Sequence, residues 1–363
     1  MMLYQWRGAT PNFGDELNSL LWPRLLPDFF DSDPGTRFLG IGSILDDRHG
    51  GARIKLVAGS GYGGYERRVA LDRSWIIHWV RGPWTARQLG LSPALGLGDP
   101  ATLLPVVGFP EPGLLDVESP QAGFPQAGSP QAGSPQAGLP QAGLPKAGLP
   151  GSAPGNEIGF MPHFETMAYG AWQQAAPLAG VTLIDPRDDP ATVLAAIGRC
   201  RTLISEALHG VIVADAMRVP WIAIQPLARI HRAKWWDWAA TQDIRLTFRH
   251  LPASSLRAWA AASGLAGLHR GRALLDRQDK RLRAAAAAAF TGRAAAALRR
   301  VATAQPQLSD DVALDRCQTR MQEQIDILRQ HPYRGSAIAT SLPTRPWRLD
   351  RYDGSAFNLG SIG

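Results

Sequence analysis

His209 lies three residues beyond Glu206, and further on Arg229, His231, Arg232 and Lys234 place four basic or titratable side chains within six positions. An imidazole changes charge near neutral pH, so it can bind an anion or move a proton. Arginine grips phosphate or carboxylate through two parallel bonds, and lysine adds a point charge. Together these types suit a ligand carrying anionic groups and acid–base chemistry upon it. Gly210 beside the histidine would let such a ligand approach the backbone closely. Glu206 fits either a base or a partner of the ring. The plainer alternatives are a histidine that heads a buried helix and a basic run that faces solvent. Asp15, in the run Asn12-Phe13-Gly14-Asp15, reads as an acidic first-turn residue suited to the helix dipole.

The elements that would position these residues follow from the hydrophobic pattern. An apolar run at Thr202–Ser205 meets a short polar loop, a nearly all-apolar helix spans Leu208–Met217, and Pro220 opens a second run, Trp221–Ile224. Strand, helix and strand in that order make a βαβ unit with both strands buried on two faces. His209 and Gly210 then fall in the helix's first turn, at the carboxyl end of a parallel strand, where open α/β sheets bind ligands and where free N–H groups favour an anion. Other strand-like runs occur at residues 2–6, Phe38–Ile41, Ile54–Ala58, Trp75–Val80, Ile158–Met161 and Val181–Ile184. Helices are predicted from Gly14 to Trp22, Trp84 to Leu89, near Ala168–Ala179 and from Pro190 to Arg199. The glycine-rich exits Gly40–Ser43 and Gly59–Gly64 lack the Gly-Lys-Ser/Thr of a P-loop and read as tight turns lining a crevice.

This alternation predicts an α/β protein with an N-terminal domain at 1–110 and a second at 157–309. Between them, from Ser119 to Gly148, a Pro-Gln/Lys-Ala-Gly pentapeptide repeats six times. A proline every fifth residue forbids regular helix, so residues 111–156 read as a linker. The Ala- and Arg-rich stretch 255–300 should be helical. A further helix at 310–330 is expected to pack back across the domains, and 331–363 reads as an extended tail.

The 363 residues can bury two cores, and 45% apolar content is ordinary for a globular protein. A net charge of +7 and a pI near 9.8 point to an acidic partner. No basic, aromatic-interleaved strand is present, which disfavours nucleic acid. Only Cys200 and Cys317 occur, so no disulfide framework is expected and a reducing compartment fits. No leader or spanning segment is apparent, which leads to the expectation of a cytoplasmic protein, at most resting on a membrane. No His or Cys spacing suits a metal, and no Gly-x-Ser-x-Gly elbow is present.

Asn12-Phe13-Gly14-Asp15, Arg81-Gly82-Pro83, Gly98-Asp99-Pro100-Ala101 and Leu208-His209-Gly210, in this order, resemble the polysaccharide pyruvyl transferase family, with Ile158–His163 and His231–Trp235 similar to further segments of succinoglycan-type members. The resemblance implies two Rossmann-like domains facing a cleft in a glycosyltransferase-B-like fold. It implies phosphoenolpyruvate as donor substrate, with no separate cofactor and no metal, and a saccharide or lipid-linked oligosaccharide as acceptor, with peripheral membrane contact. The product would be a cyclic pyruvate ketal. Carried onto this chain, it implies His209, Glu206 and Asp15 as catalytic residues. His163, Gly210, Arg229, His231, Arg232 and Lys234 would hold the donor, and Asn12, Gly14 and Arg81 would face the acceptor. Trp6 and Trp235 could stack on a sugar. Asp99 is expected to make a structural Asx-type turn. One departure is Ala207, where relatives often carry Arg two positions before the histidine; the donor's charges must then be met elsewhere. A nucleotide-sugar glycosyltransferase and a non-catalytic saccharide-binding relative are the competing readings.

Overall fold

Parallel strands need a connection that carries the chain back to the same end of the sheet, and buried apolar runs joined by such crossovers suit parallel pairing. The computed structural model describes residues 1–64, 66–108, 155–226, 232–262 and 280–333, and its named strands form two such sheets. In the first, β1 (Met2–Tyr4), β2 (Thr36–Leu39), β3 (Ile54–Ala58) and β4 (Trp75–Trp79) lie side by side in chain order. Helix α1 (Phe13–Leu25) crosses from β1 to β2, and α2 (Pro83–Gln88) follows β4. A 3-10 turn, Pro100–Leu103, leads into α3 (Leu104–Val107). Helix α1 runs past Pro23 to Leu25, because buried Leu25 and Leu26 hold its last turn on the core and the Leu26 N–H reaches Trp22 O at 2.8 Å.

The second sheet holds β5 (Glu157–Met161), β6 (Thr182–Leu183), β7 (Cys200–Ser205), β8 (Trp221–Ile224) and β9 (Phe248–Arg249), ordered β6-β5-β7-β8-β9 and parallel throughout. Its helices are α4 (Phe164–Tyr169), α5 (Trp172–Ala179), α6 (Pro190–Gly198), α7 (Leu208–Ala216), α8 (Ala233–Ala239), α9 (Leu256–Ala262) and α10 (Lys280–Val301). The helix predicted near Ala168–Ala179 is in fact α4 and α5. They break at Gly170 and Ala171, where the Ala171 N–H is taken by Ser254 Oγ at 2.9 Å. The chain leaves β5 for β6 on one side and returns to β7 on the other. The carboxyl ends of β5 and β7 therefore flank the point where strand order reverses, the natural crevice of such sheets.

The last helix, α11 (Asp311–Gln330), returns to the first sheet, as the sequence reading expects. Cys317 Sγ donates to Leu97 O at 3.0 Å, Gln318 Nε2 to Thr102 O at 2.9 Å, and Arg329 Nη2 to Leu25 O at 2.8 Å. One buried cluster joins Phe13, Leu17 and Trp22 to Leu208, Val211 and Trp235, and to Met321 of α11. The two sheets thus share apolar packing. The pentapeptide repeat, Arg229, His231 and all of the tail beyond 333 lie outside the described residues. Among those described, no helix is long and apolar enough to cross a membrane.

Candidate active site

Ser205 ends β7, and its hydroxyl accepts the Ala207 N–H at 3.0 Å, turning the chain into α7. Ala207, the N-cap, offers no side-chain acceptor, and the Val211 N–H makes the link to Ala207 O. The N–H groups of Leu208, His209 and Gly210 stand ahead of that ladder. Gly210 is needed here for packing: a Cβ would come within 2.6 Å of Met161 Sδ and 2.9 Å of Ser205 Oγ. The side of Gly210 where a Cβ would stand is thus filled by the ends of β5 and β7, while its N–H stays among those at the helix start.

Helix α1 begins on the facing side. Asn12 is its extended N-cap, but its amide donates to Asp15 Oδ2 at 2.6 Å rather than accepting from the helix. The Phe13 N–H donates to Pro186 O at 2.8 Å, which seats α1 against the second sheet's connections. Gly14 then lies directly beneath the imidazole of His209: a Cβ there would fall 1.9 Å from Nδ1. Two helix starts, neither capped by a side chain, meet at one histidine, and both turn their positive dipole ends toward it.

A cavity of about 440 Å³ opens over this junction. Asn12, Gly14 and Asp15 line it from α1, Ala207 and His209 from α7, Lys234 from α8 and His163 from the end of β5. Burial pushes the Asp15 carboxyl above the ordinary carboxylate range. The Asn12 hydrogen bond and the charges of His209 and Lys234 offset that only in part. The His163 ring lies tilted on Phe164, with Nδ1 3.6 Å from Glu165 Oε2. Gly42, Ser43 and Ile44 from the first glycine-rich exit form another wall together with Trp6.

Several expected site residues are placed elsewhere. Glu206 is buried: it accepts the His163 N–H at 3.1 Å and the Thr166 hydroxyl at 2.5 Å, fastening the start of α4. Arg81 is fully buried and is not among the residues lining this cavity. It pairs with Asp237 of α8 at 3.3 Å and donates to Ser43 Oγ at 2.7 Å. The second glycine-rich exit packs on that guanidinium, since a Cβ at Gly61 would meet Arg81 Cζ at 2.2 Å. The Arg232 guanidinium donates to Pro226 O at 3.3 Å and is not part of the cavity wall. Trp235 is fully buried in the core and offers no face to a sugar. Burial also pushes the thiols up, to about 11 for Cys200 and about 12 for Cys317, so neither suits a nucleophile.

Other residues were missed. Arg48 lines the cavity while Asp46 holds it by two bonds of 2.5 and 2.7 Å, and Glu66 lines it as well. Asp99 makes the expected Asx turn through Oδ1, which accepts the Ala101 N–H at 3.0 Å. Its other oxygen, Oδ2, stands 3.4 Å from His209 Nε2. Asp99 is thus an acidic neighbour of the imidazole that the sequence reading did not assign. Cations, two helix starts and a buried acid around one ring can bind a small molecule with anionic groups and exchange protons with it.

Residues 68–226, which hold Asp99, His163 and His209, match the polysaccharide pyruvyl transferase family. The chain is also 32% identical over 354 residues to the succinoglycan biosynthesis protein ExoV of Rhizobium meliloti (strain 1021), an alignment covering 91% of this chain and 99% of that protein. The chain belongs to the polysaccharide pyruvyl transferase family. As a pyruvyl transferase it is an α/β enzyme with parallel sheets, and the family match takes in the whole of β7 and α7, where His209 sits. Asn12, Gly14 and Asp15 precede the family match and fall within the part of the chain before residue 68.

Proposed function

We propose that this pyruvyl transferase takes the pyruvyl group of phosphoenolpyruvate and joins it, as a cyclic ketal, to two hydroxyls of one sugar in an exopolysaccharide repeat unit. The reading is supported above all by the meeting of two uncapped helix starts at His209, with Lys234 on the same cavity wall. Phosphoenolpyruvate carries a phosphate and a carboxylate and needs such converging donors. One proton is added to its methylene carbon, two C–O bonds form at C2, and the bond from C2 to the phosphate oxygen breaks. Of the two hydroxyl protons, one replaces the proton given to the methylene carbon and the other leaves with phosphate. In this scheme His209, His163, Lys234 and the free N–H groups of α7 hold the donor. Arg48 brings the arginine that the family often carries near Ala207. Asp15, which keeps its proton to higher pH than an ordinary aspartate, relays protons between hydroxyl and donor. Trp6 offers a face to the sugar.

The two sheets are proposed to act as the lobes of a glycosyltransferase-B-like arrangement, working without a cofactor or metal. The acceptor would be lipid-linked and reached from the cytoplasmic side of a membrane. The test is incubation with phosphoenolpyruvate and a purified lipid-linked oligosaccharide. Phosphate should be released, and the acceptor should gain the mass of pyruvate less one water. His209→Ala should lower the rate by on the order of 10²–10⁴-fold. Thermal stabilisation by a nucleotide sugar but not by phosphoenolpyruvate would instead favour a glycosyltransferase and end this reading.

A further inference from the structure

Asp99 is fully buried, and its two oxygens do different things. Oδ1 starts the turn Pro100–Leu103 by accepting the Ala101 N–H. Among the described residues Oδ2 has no hydrogen bond, and neither has Nε2 of His209, also a buried atom. The two face each other at 3.4 Å, close enough for an ion pair but not aligned as a hydrogen bond. A buried carboxylate oxygen left without a donor is costly, and an imidazole N–H opposite it is the group that relieves the cost. We infer that Asp99 is a positioning residue for His209. Its carboxylate keeps a proton on Nε2 and so presents Nδ1, which lies over Gly14 at the cavity, as the nitrogen that meets the substrate.

The charged groups around the ring agree with this assignment. Asp99 comes from the turn before α3, Asp15 from the first turn of α1, and Lys234 from α8 across the cavity. Glu206, the acid nearest in sequence, is engaged by His163 and Thr166. Asp15 acts on the cavity side, whereas Asp99 sits behind the ring, so the two acids have separate tasks. Asp99 follows the first sheet in the chain and His209 belongs to the second, so the ring is fixed only when the two sheets are packed together. Catalytic hydrogen bonds are often long before a substrate binds and shorten in the complex, which fits the 3.4 Å spacing. The effect on rate rests on the proposed transfer reaction; the proton's position does not.

Asp99→Asn in the full chain separates the two duties of this side chain. The amide oxygen can still accept from Ala101, while its N–H₂ faces Nε2 and drives the ring proton to Nδ1. Nitrogen-15 spectra of the imidazoles, with His209 assigned by its loss in His209→Gln, should show Nε2–H in the native chain and Nδ1–H in the variant. With phosphoenolpyruvate and acceptor, the variant should lose about 10²-fold or more in kcat with little change in KM. An Nδ1–H ring in the native chain overturns the inference, whether or not the variant folds. So does a variant with native kcat. If the native chain transfers no pyruvyl group, the proposed reaction fails, and the spectra still decide the role of Asp99.

Discussion

Gly14 and His209 are 195 positions apart, yet a methyl group on the first would strike the second. Gly14→Ala should therefore push the imidazole off its axis. A displacement of about 1 Å at a reacting group can cost about 10²-fold in rate. Transfer activity is expected to fall by that order in steady-state kinetics, with only a modest drop in melting temperature. Asp15 yields a pH prediction. Its folded pKa lies above the unfolded value of 3.8, so the folded chain binds more protons between those values, and stability falls as pH rises through that window. Asp15→Asn removes this penalty. It should melt higher than the native chain at neutral pH, with the gap closing as pH falls toward 3.8, while transfer is lost. Thermal melts across that range check the sign. The residue types at this site could be read from sequence, since His209 and Lys234 were candidates by chemistry and Asp15 by the family resemblance. Their partners could not, because a short loop such as Glu206–Ala207 does not dictate which way a side chain turns.

At the scale of elements, α8 joins the two sheets. Asp237, three residues beyond Lys234 on that helix, accepts the Trp84 and Thr85 N–H groups at 3.0 Å each and pairs with Arg81. It caps α2 of the first sheet from within the second. Asp237→Ala would leave Arg81 buried and unpaired, and breaking a buried pair this way costs about 3–5 kcal/mol. Chemical denaturation should show a loss of that size. Any remaining enzyme should have a raised KM for phosphoenolpyruvate, because Lys234 shares the loosened helix. The family resemblance, through Arg81-Gly82-Pro83, implied that Arg81 faces the acceptor. Its burial was decided by Asp237, 156 residues away. The strands themselves were readable, because parallel strands buried on both faces are continuous apolar runs; Ile54–Ala58 and Trp221–Ile224 match at both ends.

At the scale of the whole molecule, α11 acts as a strap. Its buried face, Leu314, Cys317, Met321, Ile325 and Leu328, enters the core that both sheets share or packs beside it. Met321 is fully buried, so Met321→Ala should cost about 2–5 kcal/mol. Because that core is continuous, the loss should appear as one shifted transition in calorimetry, whereas two separate transitions would show sheets that melt independently. The amphipathic pattern of this helix and its return to the first half were readable; the carbonyls it grips at Leu25, Leu97 and Thr102 were not.

By itself the sequence determined the α/β alternation, the placing of an imidazole at a helix start beyond a parallel strand, and a lysine, Lys234, for the same site. Those follow from periodicity and side-chain chemistry, which act over a few neighbouring residues. Only the tertiary structure decided that Asp99 backs His209, that Gly14 lies beneath it and that Glu206 and Arg81 are spent on packing. Each of those contacts depends on how two sheets close on one another, and that geometry is set by the shared core rather than by any local pattern.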